Sequence, residues 1–186
     1  MKNQERISTA GFTIVELMVG IAIIGILTMI AVPSFSEWVV KMRVDNEISA
    51  IHRLLLTTRN TAINMEQPVT MCPLNGTACA ADWKKEISIF VDLNNNGSFD
   101  AGNNETIIRV KDAINAKDNL TFSETRVVFM PTGQASNSNG TFRYCPGGHP
   151  DKNRGLVISN RGRIYQTSDI DNDGKEVGNA TAVAGQ

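Results

Sequence analysis

Between Leu17 and Ser36 the chain runs for twenty residues without a charge, and from Ile7 to Ser36 the only charged side chain is Glu16. As an α-helix, twenty residues span about 30 Å, the thickness of a bilayer's hydrocarbon core. A folded water-exposed domain does not place such a run at its surface, so this segment limits every reading of the chain. It ends in Val32-Pro33-Ser34-Phe35 and is preceded by a short polar leader containing Lys2, Glu5 and Arg6.

Three explanations compete for this segment. A secretory signal peptide has an apolar stretch of roughly 7–15 residues followed by a small-residue cleavage site; here the run is longer and no A-x-A pattern closes it. A plain bitopic anchor fits the length but gives Glu16 no role, although a carboxylate in hydrocarbon costs roughly 2.5–3.5 kcal/mol and ordinarily has a partner. The third explanation rests on a resemblance. Gly11-Phe12-Thr13-Ile14-Val15-Glu16-Leu17 resembles the type IV prepilin processing site. That resemblance implies cleavage after Gly11 by a prepilin peptidase, N-methylation of Phe12 as the mature N-terminus, and retention of the apolar segment. It also gives Glu16 an assembly role: in a dry filament core the carboxylate meets the Phe12 ammonium of a neighbouring subunit, and both charges are satisfied only in correct axial register. The alternative for Glu16 is a carboxylate lying at headgroup level that contributes nothing.

Helical periodicity continues past the apolar run. Val44, Ile48, Ile51, Leu55, Ala62 and Met65, with Thr58 in the remaining step, form one stripe, while Lys41, Arg43, Asp45, Glu47, Arg53 and Arg59 lie off it. Pro33 is expected to kink the helix or free part of its backbone bonding. A continuous helix over residues 12–65 would be about 80 Å long, with its second half packed on a sheet and its end at Gln67-Pro68. Downstream, β-like runs fall near Val69–Cys72, Ile87–Val91, Thr106–Val110, Arg126–Met130, Thr141–Cys145, Leu156–Ser159 and Arg163–Gln166. No βαβ alternation is present, so an antiparallel sheet is expected. The resulting organisation is a leader over 1–11, a long helix over 12–65 whose first half is transmembrane, and a β-rich globular region over 66–186. The tail beyond Gly178 is small and polar, which favours fraying.

Motifs in the second half extend the resemblance. Met71-Cys72-Pro73, Cys79, Trp83, Ile89-Phe90-Val91-Asp92-Leu93-Asn94, Val128-Phe129-Met130-Pro131-Thr132-Gly133, Phe142-Arg143-Tyr144-Cys145 and Ser159-Asn160-Arg161-Gly162-Arg163 occur in an order similar to the GspH/FimT family of minor pilins and pseudopilins. The resemblance implies an α+β pilin fold: one long N-terminal helix on an antiparallel β-rich head. It further implies a single-pass inner-membrane protein with a periplasmic head, which helps start or cap a type IV pilus or a type II secretion pseudopilus and can sit at its tip. The implied partners are other major and minor pilins or pseudopilins, the prepilin peptidase and the inner membrane.

In an oxidising periplasm, Cys72 and Cys79 are the favoured disulfide pair. Their bridge would close an eight-residue loop, worth about 2.5 kcal/mol in the chain-entropy account. Pairing of Cys145 with either is the rival, and one of the three cysteines must stay unpaired within the chain. His52 and His149 lack the spacing of a zinc site.

Asp92, Asn94 and Asn96, followed by Gly97, begin like a calcium loop, and Asp169, Asp171 and Asp173 repeat the start. The twelfth positions, Asn103 and Ala180, are not bidentate ligands, so structural calcium competes with ordinary Asx-Gly turns. No other cofactor is expected. Eighteen Lys+Arg against 19 Asp+Glu exclude a generally basic nucleic-acid binder. Locally, Arg143, Lys152, Arg154, Arg161 and Arg163 face only Asp151. Some members of the resembled family are DNA receptors in natural transformation, with a Gly-Arg-x-Arg hairpin. Here that hairpin reads Gly162-Arg163-Ile164-Tyr165, with tyrosine in place of the second arginine. DNA binding through Arg154, Arg161 and Arg163 on a protruding hairpin therefore competes with a solvated turn. G-x-S-x-G, H-E-x-x-H and a phosphate-binding glycine loop are all absent, and no enzyme is expected.

Overall fold

The computed structural model describes residues 12–167, apart from the side chains of Pro33 and Ser34. A single helix, α1 (Ile14–Met65), leads into nine strands: β1 (Val69–Asn75), β2 (Ala78–Cys79), β3 (Ile87–Val91), β4 (Ile107–Lys111), β5 (Asn119–Thr121), β6 (Val127–Phe129), β7 (Gly140–Cys145), β8 (Arg154–Ile158) and β9 (Ile164–Gln166). The chain divides into two compact units between Val39 and Val40, within α1.

In the first unit, the helix is apolar on all sides. Its most apolar 18-residue window has a mean hydropathy of 2.5 and no buried share. Helical assignment continues through Pro33, so the proline does not end the helix. A helix that is hydrophobic all round, with none of that surface covered by its own chain, matches an apolar solvent or the flanks of other helices rather than water.

In the second unit, the predicted stripe is the helix's contribution to the core. Val44, Ile48, Ile51, Leu55, Thr58 and Ala62 are almost fully buried, joined by Val40 and Leu54. Thr58 stays in this apolar row because its hydroxyl donates to the Leu54 carbonyl at 2.8 Å. Met65, placed on the stripe by spacing, is 45% exposed. The helix terminates there: Glu66 takes a left-handed φ of 55°, and the Gln67 amide donates back to the Ala62 carbonyl at 3.3 Å. This is a Schellman-type ending, and Pro68 follows it.

Every strand pairing is antiparallel, as the sequence predicts, but there are two sheets. The first has the order β2-β1-β3-β4, with β6 also paired to β1; the second has the order β5-β7-β8-β9. β2 and β5 are absent from the sequence reading. β2 is two residues beside the Gly76 turn, and β5 is an Asn-Leu-Thr segment held by pairing with β7 rather than by its own propensity. β4 begins one residue later than expected, with a register irregularity opposite Ile89 and Phe90. At the sheet edge, β4 exposes Ile107, Ile108 and Val110, with Arg109 and Lys111 interleaved, a pattern that discourages edge-to-edge pairing.

The core is largely aliphatic, with an aromatic cluster inside it. Trp83 meets Phe142 edge-on at 4.8 Å and Phe122 at 5.6 Å, while Phe122 and Phe142 stack at 4.2 Å. The Trp83 indole N–H donates to the Glu124 carbonyl at 2.8 Å, so the buried ring leaves no donor unmet.

Candidate functional site

At the start of α1, Phe12 is 83% exposed. Thr13 and Glu16 cap the helix reciprocally: the Glu16 amide donates to the Thr13 hydroxyl oxygen at 3.2 Å, and the Thr13 amide donates to Glu16 Oε2 at 3.5 Å. This is a capping box, carried by the Thr-Ile-Val-Glu spacing. The long second bond leaves most of the carboxylate's accepting capacity unused, and it lies one residue from Phe12. Thr13 belongs to the processing-site motif, but its capping role, signalled by Thr-x-x-Glu, is not part of the sequence reading. Gly11 lies outside the described residues.

Three charged residues read as lying off the apolar stripe tie α1 to the head. Asp45 pairs with Arg154 at 2.9 Å, Glu47 with Lys111 at 2.8 Å, and Arg43 Nε lies 3.2 Å from Asp118 Oδ2. Asp118 is 2% exposed. Its carboxylate also accepts the Tyr144 hydroxyl and, at 2.9 Å, the Gly147 amide. Burial pushes the Tyr144 hydroxyl above its ordinary pKa; the bond to Asp118 and the charges of Asp118 and Glu47 add to the shift, and Arg43 opposes it. Asp118 is therefore a junction of helix, loop and second sheet. No local motif announces it, because its partners come from distant parts of the chain.

Cys72 and Cys79 form a disulfide with a Cα–Cα distance of 5.6 Å. The rival pairing through Cys145 is overturned: Cys145 is a free, half-buried thiol, its pKa raised by burial and partly offset by Arg143.

The Asp92 loop is built by its own hydrogen bonds. The fully buried Asp92 carboxylate accepts the Thr70 hydroxyl at 2.8 Å, the Asn96 amide at 3.0 Å and the Gly97 amide at 3.1 Å. Asn94 accepts the Asn96 amide at 3.1 Å, and Asn96 accepts the Ser98 amide at 2.7 Å. Glu105, rather than the residue at the twelfth position, closes the loop by accepting the Leu93 and Asp100 amides at 3.0 and 2.7 Å. Gly97 has a φ of 76°, which favours glycine; a Cβ there would displace the flexible Arg126 guanidinium. In this loop, turn formation employs Asp92, Asn94 and Asn96, the same residues that the calcium reading employs. Among the described residues, no three His, Cys, Asp or Glu side chains are grouped to hold a metal. Asp169, Asp171 and Asp173 lie outside the described residues.

Two of the basic residues are paired with carboxylates. Arg154 is engaged by Asp45, and Lys152 lies 3.9 Å from Asp151. Arg161 and Arg163 are exposed at the β8–β9 turn. That turn does not protrude. The Ala135 amide donates to the Asn160 carbonyl at 3.1 Å, and Arg59 Nε donates to the Gly133 carbonyl at 3.0 Å. A Cβ on Gly162 would lie 1.9 Å from that same carbonyl oxygen. The hairpin tip is therefore docked on the 130–135 turn.

Comparison with known proteins decides the family. Residues 47–162 match the family described as Type II transport protein GspH, and residues 7–32 match the prokaryotic N-terminal methylation motif. The chain belongs to the GspH family. GspH-family chains are structural subunits of the minor pilin and pseudopilin class and are not enzymes. A fimbrial protein of Moraxella nonliquefaciens is 35% identical over 72 residues, covering 39% of this chain and 44% of that protein. A fimbrial protein of Pseudomonas aeruginosa is 32% identical over 60 residues, covering 32% of this chain and 39% of that protein. The chain thus spans less than half the length of these relatives. Among solved structures, the type IV minor pilin FimU of Pseudomonas aeruginosa superposes with a TM-score of 0.55 at 22% identity, covering 67% of this chain and 88% of FimU. A second crystal form of FimU gives 0.51 at 23% identity, covering 64% and 89%. At that identity the likeness establishes the shared α+β pilin fold.

Proposed function

We propose that this GspH-family chain is a membrane-anchored minor subunit that helps start or cap a filament of the type IV pilus or type II pseudopilus kind. In this reading the peptidase cuts after Gly11, Phe12 becomes the methylated N-terminus, and the head lies in the periplasm until assembly places it at or near a filament tip. The observation that carries the reading is the uncovered apolar helix of the first unit, which begins in the methylation motif and holds one carboxylate, Glu16, in its run up to Ser36. The helix matches a bilayer before assembly and neighbouring pilin helices afterwards. In this reading a neighbour's Phe12 ammonium balances Glu16, and the carboxylate's remaining accepting capacity supports that pairing.

The test is Glu16→Ala. The reading expects normal membrane insertion with loss of the subunit from sheared filaments. Unimpaired incorporation would remove the registration role.

The alternative, a DNA receptor in uptake, retains two exposed guanidinium groups, Arg161 and Arg163, for phosphate contacts. Arg154 is committed to Asp45, which reduces the proposed set. Absence of a low-salt gel shift by the wild-type chain would dispose of this alternative. A shift lost on changing Arg161 and Arg163 to Ala would sustain it.

A further inference from the structure

A pair of exposed rings flanks the end of the apolar run. Phe35 and Trp38, one helical turn apart, lie with ring centroids 5.8 Å apart, and they are 64% and 55% exposed. Nothing among the described residues covers them, in contrast to Trp83, which is 1% exposed in the head. Glu37 and Lys41 are the first charges after Glu16, and Trp38 stands between them. On α1, the rise from Glu16 to Trp38 is about 33 Å, matching a hydrocarbon core of about 30 Å with one end at each polar boundary. An indole combines a large apolar body with one N–H donor, the chemistry that settles at the headgroup level.

From this placement we infer that Trp38, with Phe35 beneath it, docks in the headgroup region of the lipid bilayer and fixes the depth of α1 before assembly. The inference rests on the membrane-anchored reading above. It adds a lipid contact that sets where the span ends: residues up to Ser36 lie in hydrocarbon, and Glu37 and Lys41 lie in water. A register set in this way would hold Glu16 at the opposite boundary, ready for transfer into a filament.

The experiment is depth-dependent fluorescence quenching of the full chain in phosphatidylethanolamine–phosphatidylglycerol vesicles. The lipids carry nitroxides near the ester end or at the methyl end of the acyl chain. Trp83, buried in the head, serves as the unquenched internal reference. Trp38→Phe identifies the signal, and this exposed site tolerates the exchange. The inference expects stronger quenching by the shallow nitroxide than by the deep one, lost in Trp38→Phe. Stronger quenching by the deep nitroxide would overturn it, as would a Trp38 quenched only by aqueous acrylamide while the chain resists carbonate extraction. Release of the chain by carbonate would instead overturn the anchored reading on which the inference depends.

Discussion

Replacing Asp118 by Ala should markedly destabilise the head, because one side chain serves three partners. The change deletes the acceptor of the Tyr144 hydroxyl and the Gly147 amide and removes the counter-charge of Arg43. The Tyr144 hydroxyl is left as a buried donor without an acceptor, at about 1–3 kcal/mol, and the exposed Gly147 amide loses one hydrogen bond, at about 0.5–1.5 kcal/mol. Arg43 is 31% exposed and its pair with Asp118 is not aligned as a hydrogen bond, so its loss adds at most about 1 kcal/mol. The sum is about 2–5 kcal/mol, or a fall in Tm of roughly 5–15 °C for a domain of this size. Asp118→Asn keeps an acceptor oxygen and the side-chain volume, and should lose about 1–2 kcal/mol. The assay is urea unfolding of a chain beginning at Val40, comparing midpoints at constant slope. A loss below about 1 kcal/mol for Asp118→Ala would refute the assignment of Asp118 as a buried junction.

Other residues give sharper, narrower tests. Reduction of Cys72–Cys79, or its replacement by two serines, should cost about 2.5 kcal/mol in the same urea assay; an unchanged midpoint would show that the loop is held without it. Gly162→Ala places a Cβ 1.9 Å from the Gly133 oxygen at a φ of 74°, and should destabilise by at least about 2 kcal/mol. Full stability in that variant would mean the hairpin tip is not docked. The Tyr144 phenol has a pKa raised above its ordinary value of 10.0, so the folded chain keeps a proton that the unfolded chain releases. Stability attributable to this group is therefore complete below pH 10 and falls as pH rises beyond it. Tyr144→Phe should flatten the alkaline decline, most clearly in a Cys145→Ser background, because the Cys145 thiol shifts in the same direction from 9.0. An alkaline decline identical to that of the parent would contradict the shift.

Features governed by local periodicity were legible in the sequence. The stripe from Val44 to Ala62 follows from 3.6-residue spacing, and β3 has the expected limits because Ile87–Val91 is a β-branched and aromatic run bounded by turn residues. Met65 departs from the stripe because the Glu66 turn ends the helix before that side chain can be covered. The features that were not legible depend on partners. β5 exists because β7 offers an edge to Leu120 and its neighbours. Asp118 sits in a loop whose composition is that of any turn, and distant Arg43, Tyr144 and Gly147 give it a role. Arg154 looks like a member of a basic patch until Asp45 is placed beside it. The Asp92 loop shows the converse: its spacing suggests a ligand, whereas the buried carboxylate is occupied by backbone amides and Thr70. Residues 1–11 and 168–186, which hold Gly11 and the second acidic run, lie outside the described structure.

The central claim is that the apolar helix is trimmed of its leader, retained, and presented with a modified N-terminus for assembly. Intact-mass analysis of the protein extracted from membranes tests it most directly. The account predicts a species that begins at Phe12, carries one methyl group, and contains the whole of α1. A mass corresponding to the uncut chain, or to a product lacking the apolar segment, would contradict it.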